Sequence, residues 1–344
     1  MRLLVAGGAG FIGSNYVRRR LSEDTGDSVR ILDKLTYAGR RENLAGLDES
    51  RWELVEADIA DRDAARAAVE GCDAVVNFAA ESHVDRSIES PGEFIQTDVF
   101  GTYVLLEAAR DAGIRHVQIS TDEVYGDFED GSATESSPLD PSSPYSASKA
   151  GGDLIVSAFA RTYGAEATIF RASNNYGPYQ HPEKLIPLCI LNALAGDPLP
   201  VYGDGMQVRN WLFVEDCCAA IDVVLERGEP GEAYNAGGPD ELPNIDVVRR
   251  ILELTGRDES LIDYVTDRPG HDRRYSLASE RLRELGWEPA VDFAEGIERT
   301  VGWYRDNEAW WGPIRSGEYQ AYYERQYGRS ISADPSTSAS EPAG

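Results

Sequence analysis

The stretch "VAGGAGFIG", residues 5–13, decides how the rest of the chain is read. Its glycines Gly7, Gly10 and Gly13 stand between an apolar run, "RLLVA" (2–6), and a segment with helical spacing. Glycine at such points permits a tight turn and lets backbone N–H groups approach a pyrophosphate at a helix N-terminus. A glycine triplet alone is weak evidence. Here it follows a strand pattern, opens a helix, and is followed by Asp33 at the end of the next strand, 20 residues after Gly13. That context points to a dinucleotide site. Asp33 is suited to accept both ribose hydroxyls of an adenosine and to repel a 2′-phosphate, so NAD is expected over NADP, with Lys34 tempering the preference. Asp58, at the end of the third strand, has two readings, a contact to the adenine edge or a helix N-cap. Ala79, Ala80 and Ser82, after the fourth strand, are expected on the nicotinamide side.

Outward from this turn, short apolar runs alternate with amphipathic stretches. "VRILD" (29–33), "ELVEA" (53–57), "AVVNFAA" (74–80), "HVQIS" (116–120) and "ATIFR" (167–171) read as strands. Between them, "DRDAARAAVEG" and "FIQTDVFGTYVLLEAARDAG" repeat apolar residues at three and four. The alternation predicts an α/β fold, a Rossmann-type doubly wound parallel sheet covered by helices on both faces. Beyond about residue 177 the register changes to prolines, one helix and short strand-like pieces. A smaller C-terminal substrate-binding lobe over the carboxyl ends of the strands is expected there. The predicted division is 1–176 for the dinucleotide-binding domain, which recruits later segments where the chain crosses back, 177–329 for the second lobe, and a disordered tail over 330–344.

With 344 residues and 42% hydrophobic content, the chain has enough apolar material for a large core. A net charge of −27 argues against a nucleic-acid or anionic-membrane surface. Four irregularly spaced cysteines, Cys72, Cys189, Cys217 and Cys218, give neither a zinc spacing nor a disulfide framework, which suits a reducing cytoplasm. No apolar run approaches the ~20 residues of a membrane span. His83 and His116 have no metal-ligand spacing, and no metal is expected; His116 reads as a packed or edge residue.

Two further stretches carry chemistry. "YSASK" sets Tyr145 and Lys149 four apart, on one face of a predicted helix. A neighbouring ammonium and a nicotinamide cation both favour the phenolate of such a tyrosine, which then takes a sugar hydroxyl's proton. "STDEVYG" (120–126) runs a strand into Thr121 and two adjacent acids, Asp122 and Glu123. In a regular strand the acids would point to opposite faces. Either the pair is a solvated turn, or the strand breaks at about Thr121 and both acids reach one cleft.

Together, the glycine turn, Asp33, the strand ending in Thr121 and the Tyr145/Lys149 pair resemble the extended short-chain dehydrogenase/reductase family. More narrowly, "AAESHVDRSI" (79–88), "STDEVYG", "YSASK", "RASNNYGPYQHPEKLIPL" (171–188), "YGDGMQVRNWLFVEDC" (202–217) and "DRPGHDRRY" (267–275) are similar to its dTDP-glucose 4,6-dehydratases. Ala6 departs from the threonine usual before the glycines.

The resemblance implies C4 oxidation, loss of water across C5 and C6, and hydride return from NADH to C6. It makes Glu123 the base at C5, Asp122 the acid at the C6 hydroxyl, and Thr121 the hydrogen-bond partner of the C4 oxygen. To NAD it assigns Phe11, Ile12, Thr36, Ile59, Thr97 and Asn175 besides the residues above, with Tyr145 and Lys149 included. To the nucleotide sugar it assigns Ser82, Thr121, Asn174, Lys184, Leu185, Pro200, Tyr202, Arg209, Asn244, Arg268 and His271. Arg273 and Arg274 have two readings, phosphate contact or structure. The family also pairs helices like those around 91–112 and 145–163 across a two-fold axis as a homodimer.

Other readings stay open at this point. One is a relative acting on a UDP- or GDP-sugar as dehydratase, decarboxylase or 4-epimerase. An epimerase, however, has no use for the acid pair. The other is a non-catalytic NAD-binding sensor or scaffold, which predicts loss of the Tyr, Lys or acid groups.

Overall fold

In the computed structural model, residues 1–22, 26–315 and 318–328 are described; the tail expected over 330–344 lies outside them. The strands among these residues are β1 (Arg2–Ala6), β2 (Ser28–Asp33), β3 (Trp52–Glu56), β4 (Ala74–Asn77), β5 (Arg115–Thr121), β6 (Ala167–Ala172), β7 (Asn174–Tyr176), β8 (Leu199–Tyr202), β9 (Val208–Phe213), β10 (Ala233–Ala236), β11 (Asp240–Pro243) and β12 (Ile262–Val265). Seven form one parallel sheet in the order β10-β6-β5-β4-β1-β2-β3. This is the doubly wound α/β sheet expected from the sequence.

Strands β4 and β6 are buried along their whole length. That is why they read as continuous apolar runs, each buried Val or Ile contributing roughly 1.5–3 kcal/mol. The chain winds from β1 to β3 in one direction, then crosses to β4 and winds in the other. The switch point lies between β1 and β4, where the carboxyl ends diverge and leave a crevice.

One strand is shorter than its apolar run. "AVVNFAA" continues to residue 80, yet β4 ends at Asn77. The Asn77 side chain accepts the Ala79 amide at 3.1 Å and donates to Gln118 Oε1 at 2.8 Å, so the backbone turns into the crevice while the apolar sequence continues.

After β7 the chain crosses between layers repeatedly. The helix Leu185–Ala195, β8, β9 and the helices Asn244–Thr255 and Phe293–Asp306 surround a second core built on Ile190, Val201, Phe213, Val248 and Ile297. The intervening helix Val214–Arg227 returns to the first core through Cys217, Ile221 and Val224, and β10 joins the large sheet beside β6. The sheet is thus completed by residues far beyond 177. Among the described residues no helix is long and apolar enough to cross a membrane.

Candidate active site

The crevice at the switch point is lined by all the residues expected at a dinucleotide: Gly7, Gly10, Phe11, Ile12, Gly13, Asp33, Lys34, Thr36, Asp58, Ile59, Ala79, Ala80, Ser82, Thr97, Tyr145, Lys149 and Asn175. The three glycines differ in what they permit. Gly7 has φ +71°, and a Cβ there would lie 2.5 Å from the Ala79 amide nitrogen. At Gly13 a Cβ would lie 2.2 Å from the Gly7 carbonyl oxygen. Both close the backbone on itself. At Gly10 a Cβ would meet only the Gly7 oxygen, at 3.3 Å, so its missing side chain leaves room in the crevice.

The first backbone bond into the helix Phe11–Ser22 is from the Ser14 amide to Gly10 at 2.9 Å. The amides of residues 11–13 precede it and carry the positive end of the helix dipole, a donor set that fits a pyrophosphate.

Asp33 lines the crevice at the end of β2. Its two oxygens accept the amides of Ala9 and Leu35, each at 2.9 Å, and burial pushes the carboxyl above its usual range. Each oxygen keeps a second lone pair for a ribose hydroxyl. Asp58 lines the crevice and accepts the Ala60 amide, while the cap of the helix Arg62–Val69 is Asp61. Of the two readings of Asp58, the cap is therefore removed. Lys34 reaches Glu81 at 3.3 Å and Asp58 at 3.7 Å, so its charge is engaged locally.

At the other end β5 stops at Thr121 and a 3₁₀ turn spans Asp122–Tyr125. Side chains in such a turn step by about 120°, not the 180° of a strand. Val124 and Tyr125 are driven into a small core, and Tyr125 is held by Arg171 at 2.6 Å and Asn235 at 2.8 Å. Asp122 and Glu123 are left lining the same crevice. Thr121 braces them, its hydroxyl donating to Asp122 at 3.0 Å and accepting the Glu123 amide at 3.3 Å. The break resolves the acid pair in favour of one shared cleft.

The helix Pro144–Tyr163 starts at Pro144 behind a Ser143–Ser146 capping box and ends at Gly164 in the left-handed region, φ +65°. It carries Tyr145 and Lys149 to the crevice. Lys149 Nζ donates to the Ile119 carbonyl at 2.7 Å. Burial, then Glu123 and Asp98, push the Tyr145 phenol well above its ordinary range, and only the Thr121 hydroxyl acts downward among the main influences.

The acids are unequal. Burial, then the Glu123 charge, push Asp122 from its usual 3.8 to about 7, with Arg209 pulling back. Glu123 is also raised by burial, but Arg268, Arg209 and Lys184 all pull it down. Asp122 Oδ2 is buried and has no hydrogen-bond partner among the described residues; the same holds for Asn174 Oδ1 and Ser120 Oγ, which line the same crevice. Buried polar atoms left open toward a cleft fit a polar ligand there.

The expected substrate residues divide. Ser82, Thr121, Asn174 and Lys184 line the crevice, and Lys184 Nζ bonds the Ser82 carbonyl. Tyr202 and Arg268 line an adjacent hollow with Asp85, and His271 stacks edge-on against Tyr202. Arg209 lies over the Tyr275 ring at 4.2 Å. Leu185, Pro200 and Asn244 line neither hollow; Leu185 packs on the second core instead. Arg273 pairs with Asp204 at 2.9 Å, and Arg274 with Glu241 at 2.7 Å, so both take the structural reading. His116 is buried within the sheet, bonded to Gln118, and burial lowers it to about 4.

Sequence reasoning missed several wall residues. Gln180, His181 and Glu183 line the crevice just before Lys184. Their signal was position alone, inside the "YQHPEK" stretch. Trp310 had no local signal. Its indole donates to Asn43, which donates to the Ala9 carbonyl, so a C-terminal residue braces the glycine turn.

A phosphate cradle opening onto a Tyr–Lys helix defines a nicotinamide-dependent enzyme of the short-chain dehydrogenase/reductase class. The model of the GDP-mannose 4,6 dehydratase family matches residues 4–300. The Low-salt glycan biosynthesis protein Agl12 of Haloferax volcanii is 53% identical over 306 residues, covering 88% of this chain and 98% of that one. The dTDP-glucose 4,6-dehydratase 1 of Escherichia coli is 50% identical over 358 residues, covering 95% and 99%. The crystal structure of DesIV, a dTDP-glucose 4,6-dehydratase from Streptomyces venezuelae with NAD and TYD bound, superposes with a TM-score of 0.89 at 53% identity, covering 91% of this chain and 100% of that one. The chain belongs to the extended short-chain dehydrogenase/reductase family, in its NAD-dependent epimerase/dehydratase branch.

Proposed function

We infer that the protein dehydrates dTDP-glucose to dTDP-4-keto-6-deoxyglucose with NAD as resident cofactor. The observation that carries this reading is the unequal acid pair beside Tyr145. Bound NAD supplies a reversible hydride acceptor, drawing hydrogen from C4 and returning it at C6, so the net change is loss of water. Tyr145 accepts the C4 hydroxyl proton, its phenol brought down by Thr121 and by a cationic nicotinamide. The C4 ketone acidifies the C5 proton, which Glu123 removes and gives back to C5 once hydride has returned to C6. Asp122, protonated up to about pH 7, gives its proton to the departing C6 hydroxyl. Two close carboxylates whose surroundings push them apart are suited to opposite roles. The cation balance supports Glu123 as base and Asp122 as acid. Asn174, Lys184, Arg209, Arg268, His271 and Tyr202 are proposed to hold the nucleotide diphosphate, and guanidinium groups suit that charge.

We also propose a homodimer in the cytoplasm. Support for the dimer is a set of exposed apolar residues, Ile95, Phe100, Leu154 and Tyr163, on neighbouring helical segments. All four cysteines are free, as a reducing compartment requires. The test of function is to offer dTDP-, UDP- and GDP-hexoses and identify which becomes a 4-keto-6-deoxy sugar without net cofactor consumption. Conversion of the dTDP sugar is expected; conversion of none, with NAD still bound, would return the sensor reading.

A further inference from the structure

Asp98 stands just behind the cleft, next to Thr97, which lines it. It lies in a π-helical stretch, Ile95–Gly101. Such wide turns recur at functional positions because the extra residue re-aims side chains. Asp98 is 1% exposed, and both carboxylate oxygens are engaged. Oδ1 accepts the Glu81 amide at 3.0 Å and Oδ2 accepts the Ser148 hydroxyl at 2.6 Å. These partners belong to the loop after β4 and to the helix that carries Tyr145 and Lys149, two walls of the same cleft. The backbones approach as closely: a Cβ added at Gly152 would lie 2.9 Å from the Asp98 carbonyl oxygen.

Hydrogen bonding alone does not require an acid here. An asparagine could accept the Glu81 amide and donate to Ser148 Oγ, whose proton has a second acceptor in the Tyr145 carbonyl at 2.8 Å. A buried charge without need is costly, so its neighbours matter. Facing it are Lys149 and Tyr145 from the helix and Glu81 from the loop. Lys34, from the end of β2, touches Thr97 at 3.4 Å and Glu81 at 3.3 Å.

We propose that Asp98 is a positioning residue: its carboxylate fixes the loop after β4 against the Tyr145–Lys149 helix, and its charge sets the pH at which Tyr145 accepts a proton. The proposal rests on the reading of Tyr145 as the base of the oxidation. The Asp98 charge acts on the phenol upward, in the same direction as Glu123. Burial pushes the Asp98 carboxyl itself up to about 6, so it is ionised across the higher range in which a phenol titrates.

The test is D98N, which keeps the shape and both bonds without the charge. Single-turnover oxidation of dTDP-glucose by the holoenzyme is followed through reduced-nicotinamide absorbance as a function of pH. The limb that depends on Tyr145 is expected to move to lower pH by about one unit, the low end for a like charge beside a titrating group. A second readout needs no activity. Between the usual carboxyl value of 3.8 and about 6, the native parent holds a proton that its unfolded chain has released. The parent should therefore lose melting temperature relative to D98N over that interval.

An unmoved limb overturns the proposal, whatever happens to the maximal rate. A parent that forms no reduced cofactor overturns the Tyr145 reading instead, and a pH-independent melting difference then overturns the charge assigned to Asp98. Should D98N fail to fold, S148A removes one donor and leaves the charge. It is expected to slow oxidation on the order of tenfold with the limb in place, and an unchanged rate overturns the positioning role.

Discussion

Replacing Asp122 by asparagine separates what this residue does for stability from what it does for chemistry. Asp122 is 3% exposed, and burial with the Glu123 charge raises its carboxyl from 3.8 to about 7. The unfolded chain therefore releases this proton near pH 4 while the native state keeps it to near pH 7. Native stability is fully present below the lower value and falls as pH rises through the upper one. At about 1.4 kcal/mol per pH unit, the loss reaches roughly 4 kcal/mol. Asparagine has the shape of the neutral acid and still accepts the Thr121 hydroxyl at Oδ1. The two proteins should melt alike near pH 4. By pH 8 the variant should melt higher by on the order of 5 °C, from an unfolding entropy of about 2 cal/mol/K per residue. The same change removes the proton needed by the C6 hydroxyl, and dehydration should fall by about 10²–10⁴ while oxidation at C4 persists. Paired melts at several pH values and a product assay check both. A melting difference that does not grow between pH 4 and pH 8 would refute the account of Asp122 as a buried acid raised by its surroundings.

Other outcomes follow from the same geometry. Glu123→Gln should form reduced cofactor on mixing with dTDP-glucose but lose water on the order of a hundredfold more slowly; dehydration at the parental rate would remove its role as base. Gly13→Ala drives a methyl to 2.2 Å from the Gly7 oxygen and should cost about 1–3 kcal/mol in melts even without cofactor. Gly10→Ala meets only that oxygen at 3.3 Å, so it should fold within about 1 kcal/mol of the parent yet purify with at least about tenfold less NAD. Leu154, 61% exposed, should govern assembly: Leu154→Glu is expected to yield a monomer by light scattering without loss of helix content, and an unchanged mass would rule that face out.

What was legible in the sequence was what local rules dictate. The glycine spacing and Asp33 fix a strand–turn–helix within one short segment, and buried parallel strands announce themselves as apolar runs. The acid pair was legible as a question, because two adjacent acids cannot share a face in a strand. What sequence left closed depends on contacts remote along the chain. Strand β10 reaches β6 only after the intervening lobe is folded. The end of β4 is set by the Asn77 side chain, not by loss of apolar residues. Among the arginines, Arg209 and Arg273 look alike in sequence. One is buried with its charge felt by both acids, and the other is spent on Asp204 at the surface. The π-helical stretch that aims Asp98 kept an ordinary helical spacing of apolar residues and gave no local sign.

A net charge of −27 opposes a diphosphate at long range, so what matters is where the cations sit. The acids arrive at the end of β5, in the first sheet, whereas Lys184, Arg209 and Arg268 arrive from segments of the second half. All three act on Glu123, and Arg209 is also among the main influences on Asp122. Cations of the second half thus offset, chiefly at Glu123, the rise that burial imposes on both carboxyls. The cations proposed to hold the diphosphate are the same ones that pull the Glu123 carboxyl down against its burial. A bound diphosphate draws on their charge and raises the proton affinity of Glu123. On that proposal, substrate binding strengthens the base at the step that needs it, and a sugar lacking the diphosphate forfeits that gain along with its anchor.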